Sequence, residues 1–449
     1  MAHVDVDIKN IQEQFTFEGK LKKNVLLIGG IGVILFVLGT IFLIMGGGHD
    51  DHHAAVEHAT EVASVHSGDA HGDAHASGEH HAEYHWWQRI IVDFWLSGVF
   101  FTGVALLGFF FFALQYVANS GWPVLIKRIM LNFRHFIPVG GVVLLITFLV
   151  GSHTIFHWTH DGIADPNSPH FDAIIAGKVD FLNTPFFLFR LVLFVTVWTL
   201  FGMALNKISK AEDADMSGTT KYFRKAQRIS VAFLIFFGIS ESVTSWDWIM
   251  SIDTHWYSTL FGWYLLAGWL VTAVAFMSLF VIILQEMGYL KAVNENHLHD
   301  LGKFLFGFSI FWSYLWFSQF LLIYYANIPE ETIYFIERLR SSTYAPLFFT
   351  ILITNFIFPF FVLMTRDAKR KTMMMKIVAV VVIFGHFLEY AILIIPGTLK
   401  ENGGFGLTEL GSGMIFLSIF LYLYFTGLSK GGLVPQNHPM LEESVHHHT

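Results

Sequence analysis

Apolar residues in this chain come in long runs separated by short polar stretches, and ten of the runs approach the length that crosses a bilayer. With about 20 apolar residues per crossing, the pattern predicts membrane helices over residues 25–45, 91–117, 136–152, 185–205, 229–250, 259–284, 304–325, 346–364, 377–395 and 412–428. The third run is short, and the last is interrupted by glycines. The first is too long for a signal-peptide core and lacks a small-residue cleavage pattern, so it is expected to be a retained anchor. The predicted fold is all-α and integral to the membrane, with about ten transmembrane helices.

Composition agrees with that pattern. Of 449 residues, 54% are hydrophobic and only 14% charged, with 48 Phe, which excludes an ordinary soluble globular domain. The net charge of −8 hides a segregation of the cations. Taking alternate connecting segments as one side puts 21 Lys and Arg on the side of residues 1–24 and 429–449. Five lie on the other side: Arg89, Lys178, Arg338, Arg340 and Lys400. The richer side is expected to be cytoplasmic, which places both termini there and residues 46–89 outside. The chain has no cysteine. It therefore holds no disulfide, Cys-ligated iron–sulfur cluster or covalently attached c-type haem.

The outer segment 46–89 carries ten His from His49 to His85. Such a tract, with His49, His52 and His53 at its start, is a candidate for loose Zn²⁺ or Cu²⁺ binding. It lacks tight ligand spacing, so a solvated loop is the favoured expectation.

Ionisable groups inside the spans are few, and each is a functional candidate because burial in hydrocarbon is costly. Asp93 opens span two and His153 closes span three. Span four holds Arg190, span five Glu241 and Asp247, and span nine His386 and Glu389. At 1.5 Å per residue, Arg190 lies roughly 8 Å, Asp247 roughly 5 Å and Glu241 roughly 15 Å below the outer boundary. Arg190 and Asp247 are thus expected to pair, as a structural clamp or a functional couple. Glu241 meets no cation at its own level, which suits a station on a proton relay. His386, Glu389 and Tyr390 share one helix face. Thr354 and Asn355 of span eight and Ser313, Ser318 and Gln319 of span seven reach similar depths. Together they suit a polar track, or equally an interhelical hydrogen-bond cluster. Only His386 is deep enough to ligate a membrane haem, so no haem is expected in this chain.

The most distinctive local sequence is Trp246-Asp-Trp-Ile-Met-Ser-x-Asp253-x-His255-Trp-Tyr-Ser-Thr-x-x-Gly262. It joins spans five and six through a short outer loop, with Trp246, Trp248, Trp256 and Trp263 as an interfacial belt. Asp247, Asp253 and His255 put titratable groups at the mouth of the helix pair that holds Glu241, an arrangement suited to proton release.

This segment resembles the signature of the polysulfide-reductase-type (NrfD-like) membrane subunits, and more narrowly those of bacterial alternative complex III, a quinol:cytochrome c oxidoreductase. The ten-span layout and long His-rich outer loop are similar to the second of its two such subunits. The resemblance implies two four-helix bundles, 91–250 and 259–395, flanked by the first and last helices in a bacterial inner membrane. It implies a sister membrane subunit, an iron–sulfur/molybdopterin-like peripheral subunit, multihaem cytochromes c and a terminal oxidase as partners, with membrane lipids and no nucleic acid. Haem and iron–sulfur clusters then sit on the partner chains. In the family, quinol is oxidised near the outer face of the first bundle by a His and a carboxylate, and Asp93, His153 and Asp247 are this chain's candidates for binding quinone. Arg190 beside Asp247 would weaken it as a base, so the sister subunit is the expected site of quinol oxidation. Two other functions fit the pattern: a purely structural membrane subunit, and a proton-coupled secondary transporter. The latter is disfavoured because internal prolines are few, with Pro138 and Pro359 near span ends.

Overall fold

The computed structural model describes residues 13–46 and 84–448. His49, His52 and His53, and with them most of the His-rich segment, lie outside the described residues. Among the described residues, ten helices are long and apolar enough to cross a membrane. They are α1 (Gly19–Gly46), α2 (Trp86–Val117), α3 (Ile137–Ile155), α4 (Thr184–Ala214), α5 (Lys221–Trp248), α6 (Phe261–Glu286), α7 (Glu295–Ala326), α8 (Ala345–Val362), α9 (Thr372–Leu399) and α10 (Leu407–Leu428). The chain is thus an all-α, multi-pass membrane protein.

Helices α2 to α5 pack into one four-helix group and α6 to α9 into a second, while α1 pairs with α10 along its length. α2 and α6 run side by side where the groups meet and are almost wholly buried; α9 also touches α2, and α5 touches α6. The close approach of α1 to α10 depends on small residues. A Cβ on Gly32 would fall 2.8 Å from the backbone nitrogen of Ile415, and one on Gly411 would meet the Phe36 backbone at 2.5 Å. Van der Waals packing of this kind holds helices together in lipid, where no hydrophobic force draws them together.

The Lys/Arg-rich segments gather at one end of the bundle. There Leu433 N–H donates to the Glu13 carbonyl (2.8 Å), and the Glu13 carboxylate accepts the N–H groups of Leu290 and Lys291. The tail folds back on this end, with Ser444 Oγ donating to the Trp122 carbonyl (2.6 Å) and His447 bonded to Asp300 (2.8 Å).

Several helices run beyond the predicted spans, and the reason is a buried ion pair. Hydropathy assigns 118–135 and 206–228 to polar connections, yet the third membrane segment extends over Trp122–Ile155 and α4 reaches Ala214. Lys127 and Glu212 are buried against each other at 2.6 Å, with Tyr116 beside the lysine at 3.2 Å. Two opposite charges that satisfy one another can continue a packed helix where either alone ends an apolar run. The ninth span likewise continues past 395, so that Pro396 lies inside α9. Proline offers no N–H to the carbonyl four residues back. The Arg338 guanidinium, on the short helix Pro329–Arg340, substitutes for it: Nε donates to the Ile392 carbonyl at 3.0 Å, and Nη2 lies 3.4 Å from that of Leu393.

Candidate functional site

A buried polar site inside the membrane helices is built on α9. His386 and Glu389 sit one turn apart near the middle of that helix, and both are buried. His386 Nδ1 lies 2.5 Å from Glu389 Oε2. A proton between these atoms can rest on either: the ring N–H donates to the carboxylate, or the carboxyl O–H donates to the ring. Trp312 Nε1 of α7 donates to the other carboxylate oxygen at 2.7 Å. From α8, Asn355 Nδ2 stands 3.3 Å from His386 Nδ1 and can donate there when that nitrogen is bare. His386 Nε2 is buried with no hydrogen-bond partner among the described residues.

Asn355 reaches this position because α8 is not regular. Residues Ile353–Ile357 form a π-helical turn, which adds a residue to the turn and re-aims the side chains on it; such turns concentrate at functional sites. Thr354 Oγ1 lies 3.2 Å from Asn355 Oδ1 and shares its one proton between that oxygen and the Thr350 carbonyl at 2.9 Å. Gly385 of α9 lies opposite, and a Cβ there would collide with the Asn355 and Thr354 side chains. Ser313 of α7, a candidate lining residue, spends its hydroxyl on the Ile310 carbonyl.

Tyr390 ties this cluster to the first helix group. Its ring packs between Phe100 of α2 (5.4 Å) and Trp269 of α6 (5.7 Å). Its hydroxyl is buried without a partner among the described residues and lies within electrostatic reach of both Glu389 and Glu241. Glu241 on α5 is itself buried, and its one side-chain bond among the described residues comes from Ser245 Oγ at 3.1 Å. Trp269 Nε1 and Thr244 Oγ1 are further buried groups with no partner there. A Cβ on Gly103 would overlap the Trp269 ring, so this glycine lets α2 and α6 meet at the seam. Glu241 on α5 and Tyr390 with the Glu389–His386 pair on α9 thus put buried polar groups in both helix groups.

The aromatic motif at the opposite end from the Lys/Arg-rich segments is committed to holding elements together. Arg190 makes a two-pronged contact with Asp247, Nε to Oδ2 at 2.6 Å and Nη2 to Oδ1 at 2.7 Å, between the faces of Phe181 and Phe186. Asp253 accepts from Arg338 Nη2 at 2.9 Å, and the Thr254 carbonyl accepts from Lys178 Nζ at 2.5 Å. His255 Nε2 lies 2.5 Å from Asp172 Oδ2, and Trp256 stacks on Tyr334 at 4.0 Å. No hydrogen bond or ion pair among the described residues joins any two of Asp93, His153 and Asp247. His153 is exposed beside Thr159 and His160. Asp93 is buried next to the Arg89–Glu409 pair (2.6 Å), and Glu409 is a site residue that hydropathy leaves outside the last span. Among the described residues no group of three or more His, Asp or Glu is arranged to hold a metal.

No family model matches the chain, and no curated protein matches it. The functional reading therefore rests on the residues themselves and on the motif at 246–262.

Proposed function

We propose that this chain carries protons inside the membrane along Glu241, Tyr390 and the Glu389–His386 pair. It does so as a non-haem subunit of a respiratory quinol:cytochrome c oxidoreductase of the alternative complex III type. The observation that carries the reading is the buried 2.5 Å contact between His386 and Glu389, with the buried Tyr390 hydroxyl on the same helix and a second buried carboxyl group, Glu241, on α5. Carboxyl, imidazole and phenol groups buried in membrane helices are acid–base chemistry placed where charge is costly. The resemblance of the 246–262 motif extends the reading to the complex. Quinol oxidation releases protons with electrons, so groups that accept and pass protons are required near it. Electron carriers and quinol oxidation are assigned to partner chains, and the Lys/Arg-rich end is assigned to the cytoplasm of a bacterial inner membrane.

The paired state of Asp247 and Asp253 supports a second role in the same chain. Each sits against an arginine, and these residues clamp the outer end rather than exchange protons.

The test uses the complex purified in mild detergent and returned to vesicles. Glu389→Gln and Glu241→Gln are expected to leave subunit composition and haem spectrum intact. Each is expected to slow the proton-coupled step on the order of a hundredfold, the usual scale for losing an acid–base group. An unchanged ratio of protons to electrons in the double variant overturns the relay. A colourless chain that purifies alone overturns the respiratory assignment and leaves the relay to be tested as part of a transporter.

A further inference from the structure

A recess of about 60 Å³ opens at the Lys/Arg-rich end, where the start of the third membrane segment, α4 and the end of α10 converge. Arg128, Arg134, His135, Lys210 and Lys430 all line it, together with Ser209. Of the two acids beside these side chains, Asp213 pairs with Arg128 and Glu212 with Lys127. Arg134 bonds only to His135, Nη2 to Nε2 at 3.0 Å, and no carboxylate among the described residues pairs with Arg134, Lys210 or Lys430. Three buried polar atoms here have no partner among the described residues: Arg128 Nε, Arg134 Nε and Ser209 Oγ. Buried donors in native proteins are normally satisfied, so a recess lined by orphaned donors and excess positive charge calls for an anion with several acceptor oxygens.

The backbone is shaped to hold the cations there. A Cβ on Gly202 would lie 3.2 Å from Arg134 Cβ, so the arginine stem lies along α4 at a position without a side chain. A Cβ on Gly427 would collide with the His135 ring. From the recess toward the membrane interior, Met203 and Leu200 of α4 and Val142, Ile146 and Leu149 of α3 are exposed and apolar. Cations at the rim, an arginine fork inside and an apolar track below match the three parts of an anionic lipid.

We propose that this recess binds the phosphate group of an anionic phospholipid, with Arg134 and Ser209 meeting phosphate oxygens, Lys210 and Lys430 closing the rim, and the acyl chains lying along α3 and α4. Arginine reads phosphate oxygens with two parallel N–H donors, and lysine adds charge. Basic pockets between membrane helices on the positively charged side are the expected seat of such headgroups.

The experiment titrates the full chain, delipidated in mild detergent with whatever co-purifies, with short-chain phosphatidylglycerol, phosphatidylcholine and inorganic phosphate, and counts bound molecules by native mass spectrometry. Saturable binding of phosphatidylglycerol over phosphatidylcholine is expected. It should weaken roughly tenfold in Arg134→Gln, the scale of one charge-assisted hydrogen bond. Lys210→Gln/Lys430→Gln alters two exposed side chains that leave packing untouched, and is expected to show a smaller loss in the same direction. Equal binding of both lipids, or wild-type affinity in both variants, overturns the site. Variant-sensitive binding of inorganic phosphate at the lipid's own affinity overturns the lipid assignment and makes the ligand a free phosphate.

Discussion

At the residue scale, Arg338 shows how one side chain can repair a backbone. It donates to the carbonyl left open by Pro396, to the Tyr334 carbonyl (2.8 Å) and to Asp253, and stacks 3.5 Å over the Tyr334 ring. Arg338→Ala strands buried carbonyls and the half-buried Asp253 carboxylate, and is expected to cost about 3 kcal/mol. If Arg338 stands in for the missing N–H, adding Pro396→Ala to that variant should recover about 1 kcal/mol. Thermal unfolding in detergent reads the cycle, and no recovery would mean that the two residues are independent. The Asp172–His255 contact responds to acid. Burial pushes the Asp172 carboxyl up, but the Ile175 and Ile174 N–H groups and the His255 ring outweigh it and hold the group below the usual carboxylate range. Its folded-state proton affinity is therefore the lower one. The stabilisation is present above the unfolded value of about 4 and is lost as pH falls through the lower folded value. The stability gap between wild type and Asp172→Asn should shrink as pH drops below about 4. A gap that instead widens in acid would reverse the assignment.

At the element scale, the span count was legible in the sequence because hydrocarbon demands long apolar runs, and these survive any detail of packing. Helix ends were less so. Lys127 and Glu212 read as surface charge until their partnership across two helices is visible, and Glu409 falls before the last apolar run begins. The Arg190–Asp247 contact was legible from matched depth on consecutive antiparallel helices. Asn355 stood out as an amide in an apolar run, but the π-helical turn that aims it at His386 has no local signature. Tyr390 was placed on the right face of α9 by spacing alone, whereas its electrostatic reach to two carboxyl groups depends on how the helix groups meet. The pairing of α1 with α10 has a direct test, because the chain has no native cysteine. A Cβ at position 29 would fall 3.0 Å from that of Ser418, close to disulfide range. Gly29→Cys/Ser418→Cys should cross-link on mild oxidation. Adding Gly411→Leu, which drives a side chain into the Phe36 backbone, should suppress that cross-link. An undiminished yield would show that the small-residue seam is dispensable.

At the scale of the whole molecule, the two ends of the bundle are closed differently. One is tied by a tail that folds back across neighbouring segments, the other by arginine–aspartate contacts around the aromatic loop. Buried Glu241 in one helix group and Tyr390, Glu389 and His386 in the other lie between them. The pairing of the first and last membrane helices also bears on how the fold is reached. Ser418 Oγ donates to the Val25 carbonyl across 393 positions of chain, so this contact has nearly the highest contact order the molecule allows. Loop closure over that distance comes late. Until α10 is inserted, α1 must persist in the bilayer without its main partner, held at most by its small contact with α2 through Phe36 and Phe94. Its most apolar stretch of 18 residues has a mean hydropathy of 2.7, the highest such stretch among the ten described spans, which is the composition such a wait requires.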